Sequence, residues 1–204
     1  MTINAATRGW LLLLCLCLPL SVQAAIGPQE LVQQTTEQTL SRLQSERASL
    51  QQNPDGIYDL IKEVISPHFD FVRISAWVLA KHWRTASKEQ KLRFVRAFRT
   101  LLIRTYGVAL LEYTDQEIRY LPLRDDPAKG DVTVRSEVIQ SSGETVSLNF
   151  RLYQRNQAWK VYDVSVDGIS LVTNFRTSFA TEIKQSSLDG LIQRLEDKVA
   201  VGSK

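Results

Sequence analysis

Through the first half of the chain apolar residues return at helical spacing; through most of the second half they alternate with polar ones. From Pro28 to Gln52, Val32, Thr36, Thr39, Leu43 and Leu50 fall on one narrow stripe among glutamines, charges and serines, which predicts a surface helix lying on something. Asn53-Pro54 caps a second helix carrying Ile57, Leu60, Ile61, Val64 and Ile65, and Pro67 ends it. A third helical segment is expected from about Asp70 to His82. Ser87 with Gln90 three residues on is a capping-box signature for the longest helix, through about Tyr113. On that helix Phe94, Val95, Phe98, Leu101, Leu102 and Thr105 share an inward arc, and Arg93, Arg96, Arg99 and Arg104 the opposite one; Leu92 and Ile103 depart from the pattern.

After Tyr113 the period becomes that of strands. Glu117 to Leu123 is a first strand, and the DDPAKG turn leads to a second, Asp131 to Gln140, where valines alternate with Thr133, Arg135 and Glu137. The Ser142-Gly143 turn leads to a third, with Val146, Leu148, Phe150 and Leu152 on one face, and Asn156-Gln157 is a two-residue hairpin turn into Ala158 to Val166. Gly168 opens a helix striped with Val172, Phe175, Phe179 and Ile183, and a last amphipathic helix carries Leu188, Leu191, Ile192, Leu195 and Val199. Helices, then a meander of strands, then helices predict an α+β fold. Its helices collect over one face of a curved antiparallel sheet of about four strands, and the resulting half-open cone is a natural pocket.

The amino terminus changes the picture of where this fold works. Arg8, the apolar run Trp10 to Leu20 and the small residue Ala24 read as a cleaved secretory signal, residues 1–24, followed by a single domain, residues 25–204. The run is about half of what spans a bilayer, roughly 20 residues, so no membrane-spanning segment is expected. Both cysteines, Cys15 and Cys17, leave with the leader, so the core must hold without a disulfide. The leader carries one of the 25 basic residues and none of the 22 acidic ones, and the balance of 24 against 22 argues against nucleic acid.

Candidate chemistry is sparse. No G-x-S-x-G, H-E-x-x-H or G-x-G-x-x-G string occurs, and His68 and His82 lack companions at ligand spacing, so neither metal nor cofactor is expected. Two carboxylates stand among apolar residues: Asp70 between Phe69 and Phe71, and Asp163 on the strand face of Trp159 and Val161. Each is read either as a proton-transfer group of a cone-shaped α+β enzyme or as a cap and hydrogen-bond acceptor. The structural role is favoured, because neither has an acid–base companion at a pairing distance along the chain.

FDFVRISAWVLAKHWRTASKEQKLRFVRAFRTLLIRTYGVAL, residues 69 to 110, and WKVYDVSVDGISLVTNFRTSF, residues 159 to 179, resemble the phospholipid-binding component of the maintenance-of-lipid-asymmetry transport system, also called the toluene-tolerance auxiliary family. The likeness runs over nearly the whole chain. The family's motif usually has glycine where Ala80 stands, an exchange a helix tolerates.

The resemblance implies a periplasmic carrier, not an enzyme. It would take one diacyl phospholipid between an outer-membrane lipoprotein complex and an inner-membrane ABC transporter. Physical chemistry makes such a carrier necessary: some 30 methylenes at about 0.8 kcal/mol each oppose transfer through water, so a cavity near the upper end of the 300–1,000 Å³ range is expected. On the sheet side its expected lipid-binding residues are Val132, Val134, Val146, Leu148, Phe150, Trp159 and Val161. On the helix side they are Phe71, Val78, Trp83, Phe94, Phe98, Leu101 and Leu102, then Val172, Phe175 and Phe179. Arg176, at the edge of the last stripe, either meets a phosphate at the mouth or is solvated.

Overall fold

The structure is a computed structural model that describes residues 26–112 and 116–201; the expected leader and Tyr113 lie outside the described residues. The long amino-terminal stripe forms α1 (Pro28–Ser45) and, after a break at Glu46, α2 (Arg47–Gln52). The second expected helix begins later than Asn53-Pro54, as α3 (Gly56–Leu60). It then widens into a π turn (Ile61–Ile65) and tightens into a 3-10 turn (Ser66–His68) containing Pro67. The π turn lies where α6 comes close: a Cβ built on Gly107 would stand 2.7 Å from Ile61 Cδ1, so a larger residue there would push the tip of the Ile61 side chain aside.

The third segment is two helices, α4 (Phe71–Leu79) and α5 (Lys81–Thr85), hinged at Ala80 with φ 49° and ψ −115°. A glycine in this motif is therefore a backbone requirement, and the expectation that a helix absorbs alanine there is corrected: Ala80 is not helical, and its Cβ is strained at this positive φ. The capping box forms as expected, opening α6 (Lys88–Leu111).

Among the described residues five strands follow: β1 (Glu117–Tyr120), β2 (Asp131–Ile139), β3 (Thr145–Arg155), β4 (Ala158–Val166) and β5 (Ile169–Ser170). They pair antiparallel in chain order, with Val134 opposite Phe150 and Val146 opposite Val138. Gly168 opens no helix. Asp167-Gly168, both at positive φ, turn the chain into β5, and α7 (Leu171–Gln185) starts from its cap, Ser170. The chain ends in α8 (Leu188–Val201).

A bulge breaks the simple alternation of β4. Leu152 stands opposite Val161 and Arg151 opposite Asp163, so Tyr162 is the extra residue. Asp163 is thereby taken off the face of Trp159 and Val161, a correction to the uninterrupted alternation. Val161, Tyr162 and Asp163 are buried in succession, so here the strand is covered on both sides and neither face is wetter.

Helices meet the sheet in two places. Val32 of α1 packs on Val132, Val134, Leu152, Trp159 and Val161. Residues of α4, α6, α7 and α8 form the main core, which reaches β4 through Tyr162. The basic back of α6 is covered in part: Arg93 pairs with Glu196 of α8 at 3.0 and 2.6 Å, and Arg104 donates to the Val199 carbonyl. Ile103, outside the expected arc, is buried with Ile57, Leu60 and Ile61, so α6 has two covered faces.

Candidate functional site

Between α1, the turns after α3, α6, the start of α7 and the inner face of the sheet lies a cavity of about 410 Å³. This is in the lower half of the range of about 300–1,000 Å³, not near its upper end as expected. The ring pair Phe98–Phe175, with centroids 5.0 Å apart, stands in the wall while belonging to the packed core, and so takes space that the sequence pattern had assigned to the cavity.

Eight of the expected residues line it: Phe71, Phe98, Leu102, Leu148, Phe150, Val161, Val172 and Phe175. Val78, Phe94, Leu101 and Phe179 lie instead within the helical core, and Trp83 packs against it. Val132, Val134 and Trp159 form the cluster beneath α1, where that helix, not a void, covers the start of the sheet. Val146 is half-buried on β3 and outside the wall. Arg176 is outside it too, its Nε donating to the Trp77 carbonyl at 2.8 Å and tying α7 to α4.

The pattern missed one wall altogether. Leu31, Val32, Thr35, Thr36, Thr39 and Leu40 of α1 line the cavity, as do Ile61 and Ile65 of the π turn. The threonines are apolar in effect. Thr35 Oγ1 donates to the Leu31 carbonyl at 2.7 Å, Thr36 to Val32 at 2.8 Å and Thr39 to Thr35 at 2.7 Å. With each hydroxyl spent on its own helix, the wall carries no unpaired hydroxyl from these residues. Val164 and Val166 were missed because the bulge brings them round; the slip of apolar positions from 159 and 161 to 164 and 166 was the visible signal.

The two buried carboxylates are engaged in holding the frame. Asp163 accepts from Ser170 Oγ at 2.7 Å and from the Val172 amide at 3.2 Å, fixing the first turn of α7, whose amino-terminal dipole favours an anion, against β4. Asp70 caps α4 by accepting from the Arg73 amide at 2.9 Å, and its other oxygen takes the Tyr153 hydroxyl and, at 3.0 Å, Arg155. Burial alone would raise the Asp70 carboxyl, but the hydrogen bonds from Tyr153, Arg73 and Arg155 outweigh it and hold it below the usual carboxylate range. Tyr162 is pushed up to about 12 by burial and by its bonds to Asp131. His68, at the cavity wall, is lowered by burial and then by the charge of Lys160.

Among the described residues no group of three or more acidic, histidine or cysteine side chains is placed to hold a metal, and no helix is long and apolar enough to cross a membrane. Such an arrangement, an apolar cavity between a helical layer and a curved sheet, with the α1 threonines and the buried carboxylates held by the frame, defines a binding protein for an apolar or amphiphilic ligand. The model of the MlaC protein family matches residues 33–197, and the chain belongs to that family.

Relatives agree. The toluene tolerance protein ttg2D of Pseudomonas putida is 33% identical over 92% of this chain and 86% of its own. The intermembrane phospholipid transport system binding protein MlaC of Haemophilus influenzae is 23% identical over 87% and 84%. A phospholipid-binding protein from Ralstonia solanacearum, solved in complex with a phospholipid, superposes with a TM-score of 0.79 at 31% identity, over 86% of this chain and 98% of that one.

Proposed function

We propose that this chain is a periplasmic carrier of a diacyl phospholipid. Its leader, residues 1–24, is removed on export, and the domain of residues 25–204 passes its ligand between an outer-membrane lipoprotein complex and an inner-membrane ABC transporter. The observation that carries the reading is the cavity wall, hydrocarbon on both sides, with the threonine hydroxyls of α1 bonded back to their own helix. Acyl chains dissolve in such a space and water does not. The eight expected residues that line it, with α1 and the π turn, are the proposed lipid contacts. The P. putida and H. influenzae relatives and the phospholipid in the R. solanacearum protein support the ligand class. Asp70 and Asp163, both committed to hydrogen bonds within the frame, favour carriage over proton transfer.

Solvent extraction of protein purified without detergent, followed by mass spectrometry, tests it. About one diacyl phospholipid per chain is the expected result; protein from which no lipid can be extracted, and which takes none up from vesicles, overturns it.

A further inference from the structure

Inside a wall whose threonines are all satisfied, one hydroxyl is not. Ser66 lines the cavity, and its Oγ is shut off from solvent with no hydrogen-bond partner in the protein. Serines that open turns here usually take an amide ahead of them, as Ser87 takes Gln90 at 3.1 Å and Ser170 takes Thr173 at 3.0 Å. Ser66 is not a cap of that kind: its own backbone is helical, φ −58° and ψ −32°, and the Phe69 amide three residues on goes to its carbonyl at 3.2 Å, which leaves the hydroxyl over. Buried polar atoms are almost always paired, so one left open in a binding cavity points to a partner that comes with the ligand.

Its position says which part of the ligand. On one side of Ser66 the chain is apolar wall, Ile61 and Ile65; on the other Pro67 is exposed, its carbonyl taking Lys160 Nζ at 2.6 Å, and His68 is half-buried. Ser66 thus stands where apolar wall, Ile61 and Ile65 before it and Phe69 and Phe71 after it, is interrupted by the exposed and polar stretch Pro67-His68. In a diacyl lipid the corresponding place is the glycerol ester linkage, whose carbonyl oxygen is an acceptor in need of a donor.

We infer that the Ser66 hydroxyl donates to an acyl ester carbonyl of the bound lipid and sets the depth to which the lipid enters. This rests on the carrier reading and adds to it a preference for ester-linked over ether-linked chains.

The test uses delipidated protein and a phospholipid with a fluorescent tail, displaced by either a diester phospholipid or the diether of identical chains and headgroup. One neutral hydrogen bond corresponds to a preference of roughly threefold to tenfold. The wild type should prefer the diester by that factor. Ser66→Ala should bind both equally, and Ser66→Thr, which keeps the hydroxyl, should recover the preference. Equal binding of the two lipids by the wild type, or a preference retained in Ser66→Ala, overturns the inference and leaves the carrier standing. A wild type that binds neither lipid removes the carrier and the inference together.

Discussion

Ala80 sits at φ 49° and ψ −115°, a conformation that glycine adopts freely and a Cβ resists. Relief of that strain, about 1–3 kcal/mol, exceeds the entropy glycine adds to the unfolded chain, about 0.4–1 kcal/mol. Ala80→Gly should therefore stabilise the protein by about 1 kcal/mol and raise the thermal midpoint by roughly 2–4 °C; an unchanged or lower midpoint would mean that the hinge is not strained. Asp163 yields a different prediction. Asp163→Ala leaves the Ser170 hydroxyl and the Val172 amide without their acceptor and should cost about 1–3 kcal/mol, whereas Asp163→Asn, which keeps an acceptor oxygen, should cost less. Equal losses in denaturant melts would count against the bracing role. Asp70 controls acid stability. Because its folded pKa is depressed, what it contributes is complete above the ordinary aspartate value, about 3.9, and is lost as pH falls through its lower folded value. Asp70→Asn should lower stability at neutral pH and flatten the profile below about pH 4; an acid limb of unchanged slope would assign acid lability to other carboxylates. At this scale the expected cap at Asp70 was legible, since the Arg73 amide it takes is three residues away, whereas its other partners, Tyr153 and Arg155, lie far off in sequence. Ala80 was misplaced inside a helix, because a single residue does not display its dihedral angles.

Among the elements, the Ser87–Gln90 capping box, the hairpin turn at Asn156-Gln157 and the strand order were legible because each is set by neighbours in sequence. What was not legible is which apolar faces pack on protein and which face a void, since Val134 and Leu148 have the same side-chain chemistry and lie on paired strands. The structure separates them: Val134 is fully buried beneath α1, and Leu148 lines the cavity. Enlarging each side chain should give opposite results. Val134→Trp overpacks a closed core and should cost about 1–3 kcal/mol or more. Leu148→Trp puts the added ring into open space, so the delipidated protein should melt no lower than wild type while its lipid content falls. Both comparisons are made after delipidation, because ligand raises apparent stability. Loss of stability in Leu148→Trp with lipid content unchanged would show that the wall is filled from within.

At the scale of the whole molecule, the proposed carrier would spend part of each cycle full and part empty, and the described residues contain no cysteine that could staple its frame in either state. Bound lipid stabilises only the full state, so removal of lipid should lower the melting temperature and re-addition of phospholipid vesicles should restore it, by an amount that grows with lipid concentration. A midpoint that lipid does not move would deny tight binding. The threonine face of α1 bears on the empty half of the cycle. A threonine in a helix is divided between two χ1 wells, and moving between them shifts the hydroxyl and the methyl into different positions about the Cα–Cβ bond. Thr35, Thr36 and Thr39 thus need no more than a bond rotation to exchange a methyl for a hydroxyl at the surface of the cavity. One wall is compatible with two solvents, oil when loaded and water when discharged, and an unloaded molecule is spared the bare hydrocarbon that would drive it onto its neighbours. Replacement of all three by valine, equal in shape and fixed in polarity, should leave loading intact and make the discharged protein aggregate.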